Sequence, residues 1–122
     1  MIKTSLSLLL VDDSRIARLS LKRQIQSLAL DITLLEADSA DSAEALLASN
    51  DTPDFALIDF NMPGRDGLEL AERIKQSYPQ VRMALVTANI QDALAQRAKE
   101  MGLAFLPKPT TAEQLGTFIQ QD

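Results

Sequence analysis

Apolar positions along this chain fall into two alternating patterns: short unbroken runs, and longer stretches in which they recur every three or four residues. Ser7 to Val11 is the first unbroken run, as expected of a strand buried on both faces. Ala17, Leu21, Ile25 and Leu28 follow at spacings of four, four and three, the period of one helix face. Ile32-Thr33-Leu34-Leu35 predicts a second strand. Asp41, with Glu44 three residues on, predicts a capping-box-like start to a helix carrying Leu46 and Leu47. Phe55 to Ile58 is the third strand, and the helix after it carries Leu68, Ala71, Ile74 and Lys75 and ends at Tyr78-Pro79. Val81 to Val86 is the fourth strand. Ala93, Leu94, Arg97, Ala98 and Met101 make a fourth helix capped at Gly102, and Leu103 to Leu106 forms a short fifth strand. Leu115, Phe118 and Ile119 mark a last helix, begun at Thr110 or Thr111, from which Glu113 and Gln114 each stand three residues on.

Strands alternating with helices imply a parallel sheet covered on both faces, because right-handed crossovers place helices on either side. The fold class is therefore α/β, a flavodoxin-like doubly wound five-stranded parallel sheet of order 2-1-3-4-5 with five helices. At 122 residues the chain has the size of one domain, taken as residues 1–122, and 46% apolar with 24% charged residues is a globular balance. A net charge of −5 lacks the positive field that phosphate-backbone binding needs, so direct nucleic-acid binding is not expected. The Leu8-Leu9-Leu10-Val11 run, cut off by Asp12, is too short for a signal sequence or a membrane span. With no cysteine, disulfides and thiolate metal sites are excluded, and a cytoplasmic setting is expected. Histidine is absent too, so any phosphohistidine must belong to another protein.

In the order 2-1-3-4-5 the first and third strands meet at the switch point, where ligands bind beyond the carboxyl ends of strands. Asp12, Asp13 and Asp59 stand at those two ends, and Thr87 and Lys108 at or just past the ends of the fourth and fifth. Gathered carboxylates do not all ionise freely: at ~4 Å each like pair repels by roughly 4 kcal/mol at an effective dielectric of about 20. A hard divalent cation such as Mg²⁺ relieves this and is commonly held by carboxylates together with a phosphate. An aspartate can itself be the nucleophile in phosphoryl transfer, with the Lys108 ammonium and the Thr87 hydroxyl facing the transferred oxygens.

The same residues have plainer uses. Asp12 and Asp13 also suit the N-terminus of the first helix, as does Ser14. Asp59 also suits an Asx turn before Met62-Pro63-Gly64, and Thr87 the end of any strand. Lys108 is held between Pro107 and Pro109, which stiffens its backbone, and the Lys108-Pro109 bond is a candidate for the cis form. Arg15, Arg18 and Lys22 share a helical stripe beside the crevice, read either as a steering patch for an acidic partner helix or as a solvated face.

Taken together, Asp12-Asp13, the segment Asp59-Phe60-Asn61-Met62-Pro63-Gly64-Arg65-Asp66-Gly67, Thr87-Ala88 and Lys108-Pro109 resemble the receiver domain of bacterial two-component response regulators, over nearly the whole chain. The resemblance implies that Asp59 accepts a phosphoryl group from a histidine kinase or histidine phosphotransfer protein. It also implies Mg²⁺ on Asp13, Asp59 and the Asn61 backbone carbonyl, with Asp12 acting through water. Lys108 would pair with the phosphate, while Thr87 and Phe105 would switch on activation. Phe105 has a core reading as well. Phenylalanine there, where tyrosine is often found, removes a hydroxyl from any contact with a target. Asn61 and Asn89 fall where the family tunes phosphoryl lifetime, and the output face would run from Gln91 to Phe118. The chain ends at Gln120-Gln121-Asp122 without a linker, so a stand-alone, chemotaxis-regulator-like receiver is expected, not an enzyme in its own right, monomeric or weakly dimeric, with a downstream protein target. Two alternatives stand beside it. One is a phosphorylation-independent interaction module of the same fold. The other is an aspartyl-nucleophile hydrolase of the haloacid-dehalogenase type, which would need an acid where Asn61 stands.

Overall fold

The computed structural model describes residues 5–120. Gln121 and Asp122, which carry part of the expected linker-free end, lie outside them. Five strands and five helices alternate: β1 (Ser5–Val11), α1 (Arg15–Gln26), β2 (Asp31–Ala37), α2 (Ala40–Ser49), β3 (Phe55–Ile58), α3 (Gly67–Ser77), β4 (Arg82–Thr87), α4 (Asp92–Glu100), β5 (Ala104–Pro107) and α5 (Ala112–Gln120). The strands form one parallel sheet in the order β2-β1-β3-β4-β5, the expected doubly wound topology.

The unbroken apolar runs are explained by burial on both faces. Along β1 and β3, alternate residues serve opposite cores: Leu9, Val11, Ala56 and Ile58 pack with α2, α3 and α4, whereas Leu8, Leu10, Phe55 and Leu57 pack with α1 and α5. All eight are buried, so β1 and β3 are locked centrally and their carboxyl ends have little freedom.

Helix starts agree with the sequence at α1 and α5, differ at α2, and add at α3 a capping box that was not expected. Ser14 caps α1, its hydroxyl accepting from the Ala17 N–H, and Asp66 and Glu69 form a capping box at α3. Thr111, not Thr110, begins α5, exchanging hydrogen bonds with Gln114 at 3.1 Å each way. The expected Asp41 and Glu44 box does not form. α2 starts earlier, at Ser39, whose hydroxyl accepts from the Ser42 N–H while Ser42 reaches back to the cap N–H. A serine hydroxyl does the work expected of Glu44, whose carboxylate is instead drawn away to Arg65 and Arg73. Gly102 follows α4 with a φ of +77°, as a left-handed C-terminal glycine should.

Candidate functional site

Three side chains reach the crevice because the parallel ladder runs on beyond the strands. The Asp12 N–H donates to Ala37 O at 3.1 Å, the Asp59 N–H to Val11 O at 2.8 Å and the Lys108 N–H to Thr87 O at 2.9 Å. Each of these residues is thus fixed by its neighbouring strand, one step past regular pairing. Asp59 is held further by Gly67 at the start of α3. A Cβ on Gly67 would lie 2.3 Å from the Asp59 carbonyl oxygen, so only glycine lets α3 approach so closely.

Asp12, Asp13 and Asp59 converge, each offering a carboxylate oxygen within 4.8 Å of the others. Asp12 and Asp59 are buried, whereas Asp13 is exposed at the mouth. Neither buried acid serves as a helix cap, the role that Ser14 takes. Asp12 instead accepts from the Ser14 N–H at 2.9 Å on one oxygen and from the Lys108 ammonium at 2.7 Å on the other. The same ammonium lies 3.6 Å from Asp59. Burial, and after it the negative charge of Asp12, push the Asp59 carboxyl up to about 6, against the downward pull of Lys108. One lysine therefore does not neutralise the cluster. An oxygen-only donor set with excess negative charge is what a hard divalent cation requires.

Thr87 is fully buried at the end of β4, its hydroxyl oxygen accepting from the Asn89 N–H at 3.1 Å, which leaves the hydroxyl hydrogen to donate. Asn61 is exposed in the loop two residues after Asp59. Phe105 is partly buried against the core on the α4 side, which agrees with its packed reading in this conformation. The Lys108-Pro109 bond is cis.

The basic stripe is not free. Arg18 donates to the Asp12 backbone carbonyl at 2.6 Å and pairs with Glu36 at 3.1 Å, and Lys22 pairs with Glu36 at 3.0 Å. Of the stripe's three residues, Arg18 and Lys22 are bound inward by an acid on β2, which leaves them unsuited to steering a partner. Arg18 is a supporting residue of the acidic turn, which its helical spacing alone did not reveal. A second support went unseen: Gln24 on α1 binds Thr110, 86 residues away. Nothing in a glutamine at a half-buried helix position signals so distant a partner.

The model of the response regulator receiver domain matches residues 8–120. The DNA-binding transcriptional regulator NtrC of Escherichia coli (strain K12) is 33% identical over 112 residues, covering 91% of this chain and 23% of that protein. The chain thus spans about a quarter of that relative's length. Among solved structures, the signal receiver domain of an HD domain-containing protein from Pseudomonas fluorescens Pf-5 aligns with a TM-score of 0.87 at 29% identity, covering 96% of this chain and 93% of that one. The CheX–CheY–BeF3–Mg complex from Borrelia burgdorferi aligns with a TM-score of 0.82 at 21% identity, covering 93% and 86%, a likeness of fold alone.

Proposed function

Because the chain belongs to the response regulator receiver domain family, we propose that it is a phosphorylation-controlled binding switch, with Asp59 accepting a phosphoryl group from a histidine kinase or histidine phosphotransfer protein. The observation that carries this reading is the meeting of Asp12, Asp13 and Asp59 within 4.8 Å under a lysine ammonium. Such a cluster is costly to keep in a core-facing crevice. As a phosphoryl-transfer site, it has a use for each member.

Asp59 acts as the nucleophile. One of its carboxylate oxygens forms a bond to phosphorus as the bond from phosphorus to the donor's imidazole nitrogen breaks, and the electron pair leaves on that nitrogen. The imidazole comes from a partner, since this chain has no histidine. The Lys108 ammonium, within reach of Asp12 and Asp59, pairs with the phosphoryl oxygens, and Thr87 donates its hydroxyl hydrogen to another. The carboxylates of Asp12, Asp13 and Asp59, with the Asn61 backbone carbonyl, suit Mg²⁺, which when bound would offset the negative charge gathered on the transferred group. A CheX–CheY–BeF3–Mg complex is known for the Borrelia burgdorferi neighbour, and three carboxylates able to hold a metal ion meet here. The protein is a phosphoacceptor that assists its own phosphorylation and dephosphorylation, and not a turnover enzyme.

The phosphoryl group biases the domain only by contacts it gains in one arrangement and lacks in the other. Thr87 and Lys108 supply them. Thr87 ends the strand next to β5, so its movement is felt by Phe105, which the Gln91–Phe118 face carries toward a downstream protein. Donor docking has its own surface: Ile16 and Leu19 on the first two turns of α1 after Asp13, and Ile90 three residues past Thr87, are large apolar residues that are 80%, 43% and 66% exposed. No helix among the described residues is long and apolar enough to cross a membrane, in keeping with a cytoplasmic partner of a kinase.

The test is labelling with a small acyl phosphate and Mg²⁺. One phosphoryl group per wild-type chain and none on Asp59→Asn is expected. Equal labelling of both would remove Asp59 as the acceptor, and no labelling of either would favour a phosphorylation-independent interaction module.

A further inference from the structure

Lys108 has the most demanding position in the site. Its ammonium must stay 2.7 Å from Asp12 and 3.6 Å from Asp59, although it hangs from the loop between the edge strand β5 and α5. The backbone bond from its N–H to Thr87 O ties down only the start of that loop. After Pro109 the next tie is not to the sheet. The Gln24 amide donates from Nε2 to the Thr110 carbonyl oxygen at 2.7 Å, and the Thr110 hydroxyl donates to Gln24 Oε1 at 2.7 Å. Both polar ends of the glutamine side chain are thus spent on one residue, and Thr110 is buried. α1 itself is anchored by Leu21 and Ile25 in the core against α5, so Gln24 stands on a rigid element.

We propose that Gln24 is a positioning residue for phosphoryl transfer, clamping the Lys108 loop through its two-way hydrogen bond with Thr110. The inference rests on the phosphoacceptor reading above. Lys108 is then held on both sides, by Thr87 before it and by Thr110 two residues after it. A lysine on a loose loop loses effective concentration at the transferred oxygens, whereas a clamped one is there before the donor arrives. The clamp does not touch the acids, which hang from β1 and β3. Loss of the clamp therefore slows phosphoryl transfer without weakening metal affinity, because a looser Lys108 competes less with a cation for Asp12 and Asp59, a split that general loosening of the domain would not give.

The experiment compares wild type, Gln24→Ala, Thr110→Val, the double variant and the exposed control Gln26→Ala. Labelling rates with a small acyl phosphate, Mg²⁺ affinity by calorimetry and hydrogen exchange at the Lys108 amide are measured on each. Gln24→Ala is expected to label about tenfold more slowly, with Mg²⁺ affinity no weaker than in the wild type and faster exchange at Lys108. Thr110→Val, which removes only the hydroxyl, slows labelling by roughly threefold, and the double variant is no slower than Gln24→Ala because the pair acts as one interaction. Gln26→Ala matches wild type. Wild-type labelling in Gln24→Ala, equal losses of labelling and metal affinity, or additive effects in the double variant would each overturn the clamp. Should Gln24→Ala fail to fold, Thr110→Val alone decides, by the same split. Asp59→Asn in parallel separates the two ideas, since labelling of that variant undermines the acceptor reading whatever Gln24 does.

Discussion

Replacing Asp59 by asparagine should make the metal-free protein more stable at neutral pH, although the residue is buried and central. In water an aspartate carboxyl titrates near 3.8, and burial together with Asp12 raises this one to about 6. A carboxyl with a higher pKa in the folded than in the unfolded chain binds its proton more tightly when folded. Its contribution to stability is therefore complete below 3.8 and is lost as the pH rises through about 6. At 1.36 kcal/mol for each tenfold change in proton affinity, the ionised side chain costs about 3 kcal/mol at neutral pH. Asparagine keeps the shape without the charge, and Lys108 keeps Asp12 as its partner at 2.7 Å. Asp59→Asn should then gain up to about 3 kcal/mol, a large fraction of an ordinary domain's stability. For a chain of this length, with an unfolding entropy of about 2.1 cal/mol/K per residue, that is a rise in melting temperature of about 12 °C. Urea unfolding followed by circular dichroism, with a chelator present and at pH values from about 4 to 8, gives the difference directly. The advantage should shrink as the pH falls and disappear below about pH 4. Equal stability at neutral pH, or a difference that does not change with pH, would refute the argument that ionised Asp59 is held at a cost.

Other outcomes follow from the same geometry. Mg²⁺ at about 100 times its dissociation constant should stabilise the wild type by about 2.7 kcal/mol; Asp13→Ala should lose most of this shift, as a thermal melt with and without metal will show. Gly67→Ala, which drives a methyl group to 2.3 Å from the Asp59 carbonyl oxygen, should destabilise the domain by at least about 1–3 kcal/mol and reduce acyl-phosphate labelling beyond what unfolding explains. Arg18→Ala leaves the Asp12 carbonyl without its 2.6 Å donor and should cost about 1–2 kcal/mol in urea unfolding, with weaker Mg²⁺ binding in calorimetry.

The sheet was legible because its signal is local. Leu8 to Val11 and Phe55 to Ile58 are unbroken apolar runs, and such runs belong to strands covered on both faces. Strand order then accounts for the meeting of Asp12, Asp13, Asp59 and Lys108, with Thr87 at the end of the neighbouring strand. What stayed hidden were choices among equivalent polar groups. Asp41 with Glu44 satisfied the capping pattern as well as Ser39 with Ser42, and the decision fell to Arg65 and Arg73, which engage Glu44 from elsewhere in the chain. Arg18 and Lys22 shared a helical stripe with Arg15, but β2 placed Glu36 beside two of them. Partners chosen across the fold leave no trace in spacing.

The ladder bonds that hold Asp12, Asp59 and Lys108 are all made by main-chain atoms. Their spacing is accordingly indifferent to exposed side chains that make no bond to this frame, unlike Arg18, Gln24 and Gly67, which do bear on it. Ile16, Leu19 and Ile90 can be exchanged for other residues, and the domain given a different partner, without shifting a carboxylate. A single-residue deletion within β5 does the opposite. It leaves every helix surface intact but turns the position after the strand to the other face of the sheet, taking Lys108 out of the crevice. New specificities in this domain are thus reached by substitution, whereas changes of strand length extinguish the chemistry.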